Sequence, residues 1–382
     1  MVKTIGVLTG GGDVPGLNVA IQELTIEGID ADYRVLGIRR GWGGLVYMDP
    51  NSSELDNEHV MELTDTNVRR LDRSGGTVLH TSRVNPSDAR ADRNFQKYRG
   101  FSFEGKRDLS EDVLKNLENL GIDVLVAIGG DDTLSYARHL AGLGIKVIGI
   151  PKTMDGDVYG AGYCIGFSTA ITRSNEFITN LRTSTGSHER VGIFEQFGRQ
   201  SGLTALYSAV AASPDRVLIP EVDFDIDKVI ELISGDYDAN PSNYAILLVS
   251  EGAKPIGGDI SFIGGAVDGF GHGRLGGIGK IIGAKFKEQG FEIIEEQLKY
   301  LIRCGAPDAV DKIRPRVYAH LAMNAILEGD SSVLTAMQDG KFTLKNLAVT
   351  KDSPLTVDVD RDYLTDKYRP NILGFGSNGL LL

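Results

Sequence analysis

The chain has 382 residues, 41% hydrophobic and 24% charged, enough to bury a large core and to favour two or three ordinary domains. A net charge of -12 argues against non-specific binding to nucleic acid or an anionic membrane, because a phosphate polymer repels such a surface and no basic run reverses the sign. Cys164 and Cys304 form no CxxC pair, and no His/Cys cluster has zinc spacing, so neither a disulfide framework nor a structural zinc site is expected.

Short apolar runs then recur along the chain: Thr4–Leu8, Arg34–Ile38, Val124–Ile128, Val147–Ile150, Val191–Phe194 and Tyr244–Val249. Their length and continuity predict buried parallel strands. Between them, the stretch after Ser110 opens with Glu111 and Asp112 and places Val113, Leu114, Leu117 and Leu120 at helical spacing, as a crossover helix does. This alternation predicts an α/β fold with mainly parallel sheets, covered on both faces, and binding loops at the carboxyl ends of strands. The polar stretch Pro86–Gly105 reads as a surface excursion, and residues 343–382 as a weakly patterned insertion or extension. No clean linker divides the chain, so two intimately packed lobes are expected: 1–160, 161–302, and a segment 303–382 that returns to them and extends beyond. The N-terminal MVKTIGVLTG lacks the apolar core and cleavage site of a signal peptide, and no run of about 18 apolar residues suggests a membrane span. A soluble, cytoplasmic protein is the expectation.

The polar signal lies at the ends of the expected strands. The first strand runs into Gly10-Gly11-Gly12-Asp13-Val14-Pro15-Gly16-Leu17-Asn18 before a helix, a loop whose backbone N–H groups can cradle an anion. It has neither the Gly-Lys-Ser/Thr of a P-loop nor GxGxxG spacing, and a purely structural turn stays open. After Val124–Ile128 come Gly129-Gly130-Asp131-Asp132-Thr133, where adjacent carboxylates suit a hard cation such as Mg2+ bridging phosphate oxygens, or Asp132 or Thr133 simply caps the next helix. After Val147–Ile150 come Pro151-Lys152-Thr153-Met154-Asp155-Gly156-Asp157, with a lysine to neutralise phosphate and carboxylates to take a hydroxyl proton, or a polar turn between lobes.

Here a resemblance becomes specific. GGDVPGLN (Gly11–Asn18), GGTVLHTSR (Gly75–Arg83), GGDDT (Gly129–Thr133) and PKTMDGD (Pro151–Asp157) are similar, in order, to phosphofructokinase motifs. SHER (Ser187–Arg190), Phe197-Gly198-Arg199, SEG (Ser250–Gly252) and YLIRCGAP (Tyr300–Pro307) continue it, so the chain resembles that family over residues 3–330. The resemblance implies a magnesium-dependent transfer of phosphate to the 1-hydroxyl of fructose 6-phosphate. It implies Asp155 as base, assisted by Asp157, with Arg199 also catalytic, Asp131 as metal ligand, and the Gly11 and Gly12 backbone with Arg83 on the donor phosphate. Thr153, Met154 and Asp155 would meet the acceptor, Arg190 and Arg303 its 6-phosphate, Phe197, Gly198 and Arg199 the substrate, and Glu251 a sugar hydroxyl. Tyr300 stands where the family has histidine or tyrosine. Arg190 reaching in from a neighbouring subunit implies a homodimer or homotetramer.

The donor is argued from two positions. ATP-using members commonly carry glycine where this chain has Asp132 and Lys152, and diphosphate-using members resemble this pair. Asp132 would repel a nucleotide α-phosphate and Lys152 would bind a short donor, which favours inorganic diphosphate. Gln22 and Ile26 stand where bacterial ATP-using relatives often carry effector-binding arginines. Three positions depart from the family: Gly156 replaces the usual asparagine between the aspartates, Phe197 replaces methionine, and Ile294 replaces an acceptor-binding arginine. They leave open an ATP-dependent enzyme, a kinase of another sugar or polyol phosphate, and a non-catalytic regulatory subunit.

Overall fold

The computed structural model describes residues 2–52, 56, 58–258, 262–267, 273–351 and 353–375. In chain order its main strands are β1 (Thr4–Thr9), β2 (Arg34–Ile38), β3 (Val60–Leu63), β4 (Val124–Gly129), β5 (Val147–Pro151), β6 (Val191–Gln196), β7 (Arg216–Leu218) and β8 (Ala245–Ser250). There follow β9 (Phe262–Val267), β10 (Gly273–Leu275), β11 (Ile293–Gln297), β12 (Val333–Gln338) and β13 (Lys341–Asn346). All the apolar runs expected as strands form strands, displaced by at most two residues at either end. The amphipathic stretch after Ser110 is the helix Ser110–Asn119, with Val113 and Leu117 buried at helical spacing.

A seven-stranded sheet has the order β13-β12-β5-β4-β1-β2-β3, and a four-stranded sheet the order β11-β6-β8-β7. The second sheet is wholly parallel, as is the centre of the first, where β1, β4 and β5 are buried from end to end. That burial on both faces is why these strands read as continuous apolar runs rather than as alternating ones. The helices Leu17–Asp30 and Val310–Glu328 pack together over the first sheet, and Phe167–Ser187 packs with Leu203–Ala212 beside the second. The registers Thr9↔Ile128, Gly129↔Pro151 and Gln196↔Ser250 bring the carboxyl ends of the central strands level within each sheet. β1 connects outward to β2 on one side and is flanked by β4 on the other. The chain therefore reverses direction between β1 and β4, where open α/β sheets bind ligands.

Two segments differ from expectation. The stretch Pro86–Gly105 is more than a surface excursion: Phe95, on the helix Arg93–Arg99, is buried and meets Phe101 and Phe103 edge-on at 5.1 and 5.0 Å. Arg99 donates to the carbonyls of Val46 and Met48 and pairs with Asp112. A few aromatic anchors in a polar background carry no periodicity, so the sequence hid them. The C-terminal part is also built in rather than appended. β12 lies parallel to β5, β13 antiparallel to β12, and the Tyr363 hydroxyl donates to Val217 O at 2.6 Å, tying the segment around Tyr363 to the second sheet.

Candidate active site

The junction of β1 and β4 is made by a threonine fitted against glycines. Gly10 N donates to Ile128 O (3.0 Å), and buried Thr133 fills the space between the two loops. A Cβ on Gly10 would stand 2.4 Å from Thr133 Oγ1, and one on Gly129 2.3 Å from Thr133 Cβ, so neither site accepts a side chain. The helix Asp131–Gly142 begins here with Gly130 at its N-cap and no side-chain cap, so neither Asp132 nor Thr133 serves as one. Capping does not account for the two carboxylates.

Cations gather over the first loop. Lys152, at the end of β5, is buried and donates from Nζ to Gly12 O (2.6 Å). A Cβ on Gly12 would fall 2.8 Å from Arg303 Nη1 and 4.0 Å from Arg83 Nη2, and one on Gly11 3.2 Å from Lys152 Nζ. These three side chains, from three separate parts of the chain, therefore stand around two glycines. Burial, then Arg303 and Arg83, lowers the Lys152 ammonium to about 8. Arg303 pairs with Asp13 at 3.4 Å, which sets one carboxylate against these cations.

The carboxylates face the opposite problem. Burial, with the charges of Asp157 and Asp132, pushes Asp131 up to about 7. Burial first, then Asp157 and Glu251, raises Asp155 well above the ordinary carboxylate range, while Arg303 and Arg199 oppose that rise. Asp155 Oδ1 is sealed from solvent without a hydrogen-bond partner. Asp157 is also raised by burial, and its interactions with Thr153 and Lys152 counter this. Thr153 Oγ1 accepts from Asp155 N (3.1 Å), and Thr204 Oγ1 donates to Met154 O (2.8 Å), which pins this loop to the second lobe. Among the described residues no three His, Cys, Asp or Glu side chains form a closed metal cage. Hard, crowded carboxylates without a cage suit Mg2+, which keeps several waters and shares substrate phosphates.

From the second lobe, Ser250 Oγ and Gly252 N both donate to Gly198 O (2.8 and 3.0 Å), which joins the Phe197-Gly198-Arg199 turn to the end of β8. Phe197 and Tyr300 meet edge-on at 5.4 Å, and the Arg303 guanidinium lies 5.4 and 4.7 Å from their ring centres. The Phe197 that departs from the family thus packs with Tyr300 and supports Arg303. Ile294 is part-buried on β11 opposite Gly192 and packs against the core. Arg190 lies apart from these contacts, donating from Nε to Glu292 Oε2 at 2.9 Å.

Gly156 has a physical account. Its φ is +69°, and a Cβ there would stand 2.7 Å from the Phe167 ring, so the loop runs in a left-handed turn pressed on an aromatic side chain. Sequence reasoning also passed over Lys299, Glu195 and Asp13. Lys299 is one residue before Tyr300 and was hidden because its partners lie far off in the sequence, Glu195 on β6 and Glu251 just after β8. Beyond Asp132 a cleft of about 700 Å³ runs along the helix Asp131–Gly142, lined by Ser135, Arg138, His139, Ser332 and Asn346.

With this geometry in place, comparison with known proteins is informative. Residues 4–326 match the phosphofructokinase family profile. The chain is 34% identical over 359 residues to pyrophosphate–fructose 6-phosphate 1-phosphotransferase of Amycolatopsis mediterranei, covering 94% of this chain and 97% of that protein. It is also 34% identical over 355 residues to ATP-dependent 6-phosphofructokinase 3 of Streptomyces coelicolor, covering 92% and 96%. In fold it is similar to the pyrophosphate-dependent phosphofructokinase from Nitrosospira multiformis, with a TM-score of 0.77 at 18% identity over 98% of this chain and 90% of that one. Motifs, fold and relatives agree that this chain belongs to the phosphofructokinase family.

Proposed function

We propose that the chain reversibly transfers phosphate from inorganic diphosphate to the 1-hydroxyl of D-fructose 6-phosphate, with magnesium. The observation that carries the donor assignment is the cluster of Lys152, Arg83 and Arg303 around Gly11 and Gly12. A buried ammonium lowered by two neighbouring guanidinium groups calls for a compact, highly charged anion, and diphosphate is the smallest phosphoryl donor that fits the description. Asp132, exposed in the first turn of the helix Asp131–Gly142, would add repulsion toward the further phosphates of a nucleotide.

In the proposed reaction Asp155 takes the proton of the acceptor 1-hydroxyl, that oxygen attacks the near phosphorus, and the bridging P–O bond breaks to release orthophosphate. Asp157 assists Asp155. Lys152, Arg83 and the Gly11 and Gly12 N–H groups hold the donor, and Arg199 and Arg303 offset charge beside Asp155. Thr153, Met154, Phe197 and Gly198 shape the acceptor side, with Tyr300 and Arg303 at its 6-phosphate and Glu251 on a sugar hydroxyl. Magnesium held by Asp131 would neutralise charge on donor oxygens. In the same reading, residues 1–160 form the donor lobe, 161–302 the acceptor lobe, and 303–382 return to both. The enzyme is cytoplasmic and a homodimer or homotetramer in which Arg190 serves a neighbouring subunit. No described helix is long and apolar enough to cross a membrane.

A second reading, ATP as donor, draws on the cleft beyond Asp132, which offers room on the far side of the phosphate loop, and on relatives named for ATP. The test is fructose 1,6-bisphosphate formation by the purified chain with magnesium, comparing diphosphate and ATP. Turnover with diphosphate alone is expected. Turnover with ATP alone overturns the donor assignment. None with either turns the search to other sugar or polyol phosphates, and then to a non-catalytic subunit.

A further inference from the structure

The turn Lys299–Arg303 carries Tyr300 and Arg303, and it begins with a buried cation that the proposed reaction leaves unused. Leu298 N donates to Glu195 O (2.8 Å), fixing the start of the turn to β6. From there Lys299 Nζ reaches Glu195 Oε1 at 2.8 Å and Glu251 Oε2 at 3.0 Å, with side-chain exposures of 10, 1 and 8% for Lys299, Glu195 and Glu251. The two carboxylates are unequal. Glu195 also accepts from Gly277 N and Gly279 N, both 3.0 Å, at the start of the helix Ile278–Glu288, whose amino-terminal dipole favours its charge. Among the described residues no helix start donates to Glu251 in this way. Burial pushes its carboxyl upward and Lys299 is the largest influence holding it down, followed by Arg199. Glu251 in turn acts electrostatically on Asp155, so the bridge ends beside the proposed base.

We infer that Lys299 is a positioning residue for acceptor recognition: it holds the Glu251 carboxylate charged and in place to accept a hydrogen bond from a hydroxyl of the phosphosugar. This rests on the acceptor reading above. A neutral Glu251 would offer a proton where the hydroxyl must donate one, and a carboxylate released from Lys299 would be free to turn away. Glu195 then serves as the fixed end of the bridge, because the helix start holds it whether or not substrate is present. Glu195, Lys299, Arg199 and Asp155 are charged groups that act on Glu251 or are acted on by it, and Lys299 joins it to Glu195 on β6.

The test is steady-state kinetics of the full-length Lys299→Met and Lys299→Gln enzymes, each checked for folding by circular dichroism and thermal unfolding. The expected result is an acceptor KM raised about tenfold or more with donor KM unchanged, the size of one hydrogen bond to a charged group. The acid limb of acceptor kcat/KM should move to higher pH, and Lys299→Arg should restore part of the affinity. In a Glu251→Gln background the same replacement should cost no more than about twofold, because the interaction it serves is already gone. Lys299→Gln, which keeps the volume and one donor, serves where Lys299→Met does not fold. A folded variant with normal acceptor KM, or an equal loss in the Glu251→Gln background, overturns the positioning role while wild-type turnover leaves the acceptor reading standing. No wild-type turnover with fructose 6-phosphate overturns the acceptor reading itself, and this inference with it.

Discussion

The donor and acceptor sides of the cleft treat charge in opposite ways. Around Gly11 and Gly12 three cations from separate parts of the chain converge, Arg303 pairing with Asp13 while Lys152 acts on Asp157. Around Glu251 each buried charge has an opposite one in reach: Lys299 bridges Glu195 and Glu251. Converging cations gain most from a small, highly charged ligand. A bridged carboxylate discriminates by hydrogen-bond geometry, as a sugar requires. Arg303 belongs to both, reaching Asp13 on one side and lying over Phe197 and Tyr300 on the other.

The sharpest test of this division is Asp155, placed where the two sides meet. Asp155→Asn should lower turnover about a thousandfold or more while calorimetry still shows fructose 6-phosphate and diphosphate binding, since a base matters to the transition state rather than to either ligand. Near-normal turnover would remove Asp155 from the chemistry. On the donor side alone, Asp132→Gly with Lys152→Gly should reduce diphosphate kcat/KM about a hundredfold, the loss of one buried charge-assisted contact, with acceptor KM nearly unchanged. If diphosphate kinetics stay as in the wild type, the converging cations are not what selects the donor.

The two sides were also unequally legible in the sequence. The donor loops are contiguous stretches at the ends of β1, β4 and β5, so parallel-strand periodicity followed by Gly10–Gly12, Gly129–Asp132 and Lys152–Asp157 is enough to place them together. The acceptor side draws on β6, β8 and the turn after β11, which are adjacent only in the folded sheet, and its bridge through Glu195 and Lys299 has no local signature. Phe95 and the strands β12 and β13 were obscured for a related reason: isolated anchors and a pair at the sheet edge lack the long apolar runs of the centre. Gly156 was visible as a departure, but its cause was not, because Phe167 lies eleven residues on and meets it only through the left-handed turn.

That turn supplies a smaller test. Gly156→Asn restores the residue the family usually carries, yet places a Cβ against the Phe167 ring at φ +69°. Asparagine tolerates that dihedral better than most side chains, so the contact decides the outcome. The expected cost is about 1–3 kcal/mol of stability from overpacking, read by thermal unfolding, with kcat reduced because Asp155 is adjacent. Gly156→Asn combined with Phe167→Leu should recover most of both losses. A stable, fully active single variant would show that the loop has slack and that its glycine does not set the position of Asp155.

The finest prediction concerns the pH at which the donor side loses the charge of Lys152. In the folded chain Lys152 is held at about 8, below the 10.5 of an ordinary lysine, by burial and then by Arg303 and Arg83. Between these values the folded state binds fewer protons than the unfolded state. The contribution of this residue to stability therefore rises with pH across that window. Donor binding has the opposite sign, since an anion favours the ammonium form that disappears above about 8. Diphosphate kcat/KM should then fall toward a tenfold drop per pH unit on the alkaline side, whereas kcat, which reports the complex in which the donor holds the proton on Lys152, should fall later. Lys152→Arg keeps its charge throughout and should abolish this limb, and Lys152→Met should lower donor affinity at every pH without it. A limb that survives in Lys152→Met belongs to another group, and Lys152 would then contribute shape rather than charge to the pocket.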